Sequence, residues 1–203
     1  MKKVRWKMLF ITCLICLLPI LPGLALWDRL PDKMATHFNL YNQPDGFSPK
    51  GFAVFGLPFI MVLGQIVCCM SIDIRAARHK IPRQFETVVK WVIPAMAVVV
   101  QGATLAYSIG ITVDIRKVAM LIVGAVFIAM GNYMPKLDYI KHYAFDTEKA
   151  RKINRFLGFE TVILGILFCI SIFLPPIFSV GCLFLMIPYI VIGLIYGICI
   201  SKK

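Results

Sequence analysis

The chain has 203 residues, a net charge of +12 at pH 7 and 60% apolar side chains, with a mean hydropathy of +0.82. A soluble domain is about half apolar, so a water-dissolved globule is excluded for most of this polypeptide, and lipid is its expected solvent. The positive charge is no argument for nucleic acid, because it is confined to segments between apolar runs, where it orients a membrane protein and attracts anionic lipid.

Six apolar runs follow one another, each close to the ~20 residues that a helix needs to cross ~30 Å of hydrocarbon. The first, approximately Met8–Trp27, comes after Lys2, Lys3, Arg5 and Lys7. It is long and ends at Trp27-Asp28, so it reads as a retained anchor and not as a signal peptide. Residues 28–51 form the longest external segment. The second and third runs, Phe52–Ile72 and Trp91–Gly110, flank a basic stretch at 74–90, and the short connection Ile111–Lys117 leads into the fourth, Val118–Met134. Residues 135–155 mix cations with Asp138, Asp146 and Glu148. Asp146-Thr147-Glu148 looks like a helix start, with Asp146 as the cap and Glu148 in the first turn. The fifth and sixth runs, Phe156–Leu174 and Ile177–Ile200, are separated only by Pro175-Pro176.

Continuous apolarity over such lengths excludes a β-barrel, whose spans are ~10 residues of alternating character. The expected fold is an all-α polytopic membrane bundle of about six transmembrane helices. Its organisation is a first helical hairpin (1–73), a basic cytoplasmic loop (74–90), a second hairpin (91–134), a cytoplasmic loop (135–155), and a third hairpin with a short tail (156–203). Seventeen of the 22 lysines and arginines fall on the side that holds both termini, and only Arg29, Lys33, Lys50, Arg116 and Lys117 fall on the other. Cytoplasmic loops carry the excess, which predicts an N-in, C-in multi-pass protein.

Within the runs, Pro19, Pro22, Pro58, Pro94 and Pro188 are expected to kink helices. The seven cysteines all lie in or at the edges of spans; Cys13-x-x-Cys16 therefore reads as apolar filling, not as a redox pair, and no disulfide framework follows. The polar residues in spans are few: Gln65, Gln101, Thr104, Asn132 and Glu160. Glu160 is expected to snorkel or to pair with Lys152 or Arg155. Transporters ordinarily carry several midplane charges or paired broken helices, and neither stands out. Nor is there a nucleophile elbow, a zinc-protease helix or a phosphate loop, so no catalytic residue is assigned.

The external segment is dense in polar and turn-forming residues. Pro44-Asp45-Gly46 is a turn signal, since proline sets one dihedral and glycine supplies a positive one. Met34, Phe38, Leu40 and Phe47 are placed to fold the segment back on the bundle. His37, Asp45, Asn39 and Asp32 suggest a metal or acid–base site, but one histidine does not make a metal centre. A hydrogen-bonded loop is the preferred reading, with no metal and no cofactor.

Leu30-Pro31-Asp32-Lys33, His37-Phe38-Asn39, Pro44-Asp45-Gly46-Phe47 and Ser48-Pro49-Lys50, set between two spans, resemble the N-terminal domain of unknown function of SdpI-type bacterial immunity proteins. Gly131-Asn132-Tyr133-Met134-Pro135-Lys136 looks like a second hallmark of that family, and the six-span plan agrees over essentially the whole chain. The resemblance implies a bacterial plasma-membrane protein that protects its producer from a membrane-active peptide toxin and signals by holding a transcriptional repressor at the membrane. It makes Pro31, Asp32, His37, Asn39, Pro44, Asp45, Gly46 and Lys50 the toxin-facing residues, and Gly131, Asn132, Pro135 and Lys136 the motif at the inner end of span four. Beyond that motif the family continues with an asparagine and a Gly-Ile-Arg-Thr-Pro-Trp-Thr-like stretch, whereas this chain reads Leu137-Asp138-Tyr139-Ile140-Lys141-His142-Tyr143. The departure falls in the loop where a repressor would be held. The competing readings are a membrane enzyme or small transporter with an outward-facing polar site around His37 and Asp45, and a structural membrane partner subunit.

Overall fold

A computed structural model describes residues 4–78, 81–136 and 147–202; the expected Asp146 cap and the divergent stretch 137–143 lie outside them. The protein is an all-α polytopic bundle with two short strands. Among the described residues six helical spans are long and apolar enough to cross a membrane: Trp6–Ala25, Phe52–Arg78, Arg83–Ser108, Ile115–Lys136, Glu148–Ser171 and Pro176–Cys199. Each overlaps most of one predicted apolar run. Large apolar side chains such as Phe10, Phe59, Leu63 and Phe159 stand exposed along them, the arrangement expected where lipid is the solvent.

The first span is two helices, α1 (Trp6–Leu17) and α2 (Ile20–Ala25). The break sits at Pro19, which has no N–H to continue the ladder. Leu18 closes α1 by donating to the carbonyls of Leu14 and Ile15. Next comes an antiparallel hairpin, β1 (Lys33–Phe38) and β2 (Pro44–Pro49). A π turn, Phe52–Gly56, then opens the second span ahead of α3 (Leu57–Arg78). In π geometry the carbonyl of Ala53 looks to the N–H of residue 58, five positions on, but residue 58 is proline. Gln101 supplies the missing donor, its Nε2 lying 2.7 Å from the Ala53 carbonyl oxygen.

The third span is α4 (Arg83–Ser108), which holds Pro94 in its interior, and the fourth is α5 (Ile115–Tyr133). After α6 (Thr147–Ser171), with Glu148 in its first turn, the last span is again divided, into α7 (Pro176–Phe184) and α8 (Met186–Lys202). Pro188 explains the division: its ring would meet the carbonyl four residues back, on Phe184, where α7 ends.

The chain forms two compact units, residues 1–74 with 89–119, and residues 75–88 with 120–203. In the first, Leu30, Met34, Ala53, Val54 and Leu105 make the core, with Leu26, Trp27, Phe55 and Ile109 packed on it. That core joins the foot of the hairpin to the π turn and to α4. Deeper in the same unit, Lys90 Nζ lies 2.5 Å from Asp73 Oδ1, with the two side chains 0% and 6% exposed. The backbone N–H of Arg5 donates to Asp73 Oδ2 at 3.2 Å, and Gln65 Nε2 donates to the Lys90 carbonyl at 2.9 Å. Three spans are thus tied together around one buried ion pair.

In the second unit α5 and α6 touch along a pair of glycines on each. A Cβ on Gly131 would lie 2.7 Å from the Gly158 carbonyl oxygen, and one on Gly124 would lie 2.7 Å from that of Gly165. Only residues without a side chain let two backbones come so close. Met120, Leu164 and Phe168 form the core beside this crossing, backed by Tyr189 and Met186 of the last span. The expected pairing of Glu160 with Lys152 is not found. Lys152 instead bonds Glu148 at 2.9 Å, four residues back, while Glu160 Oε2 is buried without a hydrogen-bond partner among the described residues. Helix geometry is the reason: eight residues put Glu160 ~12 Å along the axis from Lys152, and five residues turn it ~140° away from Arg155.

Candidate functional site: the hairpin between the first two spans

The segment at 28–51 is a built structure and not a floppy linker. Its strands pair Lys33 with Pro49, Met34 with Ser48, Ala35 with Phe47, His37 with Gly46 and Phe38 with Pro44, with irregularities on either side of His37. Pro44 and Pro49 stand at the strand ends, where a missing donor costs nothing. Thr36 Oγ1 and Ser48 Oγ bond across the strands at 3.0 Å. Met34 is fully buried in the core of its unit, so the hairpin grows directly out of the bundle.

The turn is not where Pro44-Asp45-Gly46 announces it. Those three residues lie in β2, and the chain reverses over Asn39–Gln43. There the Asn39 side-chain oxygen accepts the N–H groups of Tyr41 and Gln43, both at 3.0 Å, the local bonding by which asparagine imitates a backbone turn. Asn42 supplies the positive φ, at 60°. Gly46 serves another purpose, because it faces His37 so closely that a Cβ on it would lie 2.7 Å from the His37 Cβ. Glycine is required there by close packing across the strands, not by a turn.

Asn42 also docks the tip. Its Nδ2 donates to the Val113 carbonyl at 3.0 Å and its Oδ1 accepts the N–H of Ile115 at 2.8 Å. A helix start leaves its first N–H groups unpaired, so the hairpin tip caps α5. Phe38 lies edge-on to Tyr107, with centroids 4.8 Å apart. Lys50 fastens the base: its Nζ lies 3.3 Å from each of the Trp27 and Leu30 carbonyl oxygens, 3.7 Å from Asp32 Oδ1 and 4.9 Å from the Trp27 ring centroid. A cation at the carbonyl end of a helix is favourable. The Lys50 N–H donates to the Asp32 carbonyl at 2.8 Å, and Pro31 lies between that residue and the buried Leu30.

The expected site residues therefore divide. His37 Nδ1 and Asp45 Oδ1 are brought together at 2.5 Å, 74% and 45% exposed, with the imidazole N–H donating to the carboxylate, which can only accept. Asn39 is spent on the turn, Lys50 on the base, Gln65 on the Lys90 carbonyl and Gln101 on the Ala53 carbonyl. These side chains make separate sets of bonds and do not converge on one cavity. Among the described residues no cluster of three or more His, Cys, Asp and Glu side chains is placed to hold a metal ion. The aromatic side chains Tyr41, 72% exposed, and Phe47, 58% exposed, stand out from the hairpin, as do Lys33 and Asp32, which is 99% exposed and lies 3.7 Å from Lys50.

This hairpin and the spans beside it carry the comparison with known proteins. Residues 14–62 match the family model of a domain of unknown function, DUF1648. Neither the curated proteins nor the solved structures give a match. The matched segment runs from the middle of α1 through the hairpin and the π turn into α3, so it holds every contact just described except those to Tyr107, Val113, Ile115 and Gln101 and the Gln65–Lys90 bond.

The second motif lies in the other unit. Gly131 belongs to the α5–α6 crossing, and the Pro135 ring packs over Gly158. Lys136 Nζ sits 5.0 Å from the Tyr133 ring centroid. Asn132 is exposed beside an open groove of about 540 Å³. Sequence reasoning missed the Asp73–Lys90 pair and this groove. An acidic residue at the end of a span, one loop away from a lysine at the start of the next, was the available signal for the pair.

Proposed function

We propose that this chain is an SdpI-type immunity or sensor protein of a bacterial plasma membrane, which guards its cell against a membrane-active peptide toxin. The observation that carries the reading is the hairpin: pinned at its tip by Asn42 and at its base by Lys50, it holds Tyr41, Phe47 and Asp32 out of the bundle. A rigid aromatic surface suits an amphipathic peptide, since aromatic side chains contribute contact area at little entropic cost. Charge asymmetry between loops supports an exterior hairpin and cytoplasmic termini. The DUF1648 match over 14–62 supports the same family reading. Holding a cytoplasmic repressor is the second part of the proposal, and it rests on the resemblance alone.

The test is survival. A sensitive bacterial host expressing the chain is challenged with amphipathic peptides made by related strains. Protection is expected against at least one, and the Y41A/F47A variant should lose most of it while reaching the membrane at the same level. Equal killing with and without the chain, for every peptide tried, would sink the proposal.

A further inference from the structure

The groove beside the second motif contains chemistry that toxin immunity does not use. Its volume is about 540 Å³, and it lies between the end of α5, the first half of α6 and Tyr196 of α8, with Gly131 and Gly158 of the α5–α6 crossing in its lining. Asn132, Lys152 and Arg155 form a polar wall, while Phe156, Phe159 and Val162 form an apolar one. Arg155 is exposed and has no ion-pair or hydrogen-bond partner among the described residues. Lys152 shares its charge with Glu148 yet remains 60% exposed. Asn132, likewise exposed, has an amide without a partner among the described residues.

Apart from Phe156, next to Arg155, the α6 lining is ordered along the helix axis. From Lys152 and Arg155 to Phe159 and Val162, α6 advances seven residues in each case, ~10 Å along its axis. Over that distance the lining changes from two cations and an amide to aromatic and branched apolar side chains. A soluble anion would use only the first wall and a neutral apolar molecule only the second. An amphiphile with a phosphate at one end and hydrocarbon at the other uses both, and basic grooves between membrane helices at headgroup depth bind such lipids. The Arg155 guanidinium offers forked donors suited to phosphate oxygens.

We propose that this groove binds one anionic phospholipid, its phosphate against Arg155 with support from Lys152 and Asn132, and one acyl chain along Phe159 and Val162. The full chain, purified in a neutral maltoside detergent, is mixed with dioleoyl-phosphatidylglycerol or dioleoyl-phosphatidylcholine and weighed by native mass spectrometry. One phosphatidylglycerol should be retained in preference to phosphatidylcholine. R155Q should weaken that retention about fivefold, and K152Q/R155Q about 30-fold, in line with the usual contribution of each cation near a charged surface. Both residues are exposed, so the lipid-free melting temperature should not move. The control K149Q/R151Q alters two cations of the same helix that do not line the groove, and it should retain lipid like the wild type. Equal loss in the control pair would overturn the proposal in favour of diffuse attraction. Displacement of the lipid by millimolar inorganic phosphate would overturn it in favour of a site for the free anion.

Discussion

Lys90 sits at the basic edge of a span, where its charge alone suffices to orient the chain, and nothing in the sequence asks more of it. In the structure it is the most deeply buried cation of its unit, bonded to Asp73 with Arg5 and Gln65 closing the surroundings. A buried ion pair is weak support for stability as a pair, but removing one partner strands the other charge, which costs about 3–5 kcal/mol. D73N and K90M should each lower stability by that order in detergent unfolding experiments, while D73L/K90M should recover most of the loss. Single variants as stable as the wild type would show that the charges are solvated and not locked. The pair is hard to read from sequence because partners 17 residues apart in a loop-flanking region look like ordinary topogenic charge. His37 and Asp45 were half legible: both belong to the polar cluster of the external segment, but Asp45 reads as part of a turn, and only the strand pairing of His37 with Gly46 brings the two together.

At the level of elements, the span positions follow from apolar length, and they agree with the helices because hydrocarbon leaves the backbone no alternative. Of the five prolines expected to kink helices, Pro19 and Pro188 sit at breaks, where a missing N–H acts locally, whereas α2 and α4 run on through Pro22 and Pro94. The hairpin turn was misplaced because Pro44-Asp45-Gly46 and Asn39–Gln43 both carry turn chemistry, and the choice between them was made by Asn42 finding partners at Val113 and Ile115, 71 and 73 residues away. The α5–α6 crossing was also hidden: glycines at 124, 131, 158 and 165 show a spacing of seven on each helix only once the two helices are set side by side. Filling that contact should be costly. G131A brings a Cβ to 2.7 Å from the Gly158 carbonyl oxygen and 2.9 Å from Val162 Cγ2, and overpacking of this kind destabilises by about 1–3 kcal/mol. G102A, whose new Cβ meets nothing within 4 Å, should leave stability unchanged or raise it slightly, as alanine favours a helix over glycine. Thermal melting of the two variants side by side checks this; equal behaviour would mean that the crossing yields without cost.

For the molecule as a whole, the distribution of cations is the part of the sequence that bears on the direction of insertion, which packing does not report. Under the orientation it predicts, the hairpin lies outside the cell and the groove at 131–162 near the cytoplasm. A chain with its seven native cysteines replaced by alanine and a single new one, Y41C, should react with a membrane-impermeant maleimide in intact cells. R78C should react only after lysis. The reverse pattern would invert the orientation and remove the basis for the toxin-facing role proposed for the hairpin. The last span presents Leu183, Phe184, Ile187 and Leu194 to its surroundings, and only 11% of its apolar window is buried within the chain, a surface that a bilayer satisfies without any further protein.

The bond from Gln101 to the Ala53 carbonyl ties the fate of two distant positions. Glutamine inside hydrocarbon is tolerable only while it has something to donate to, and here that is an acceptor orphaned by the ring at Pro58. Were Pro58 exchanged for a residue bearing an amide hydrogen, the helix could serve its own carbonyl and the glutamine would become the odd group out, better replaced by leucine. Evolution should therefore find the two positions drifting as a couple: proline with glutamine, or neither.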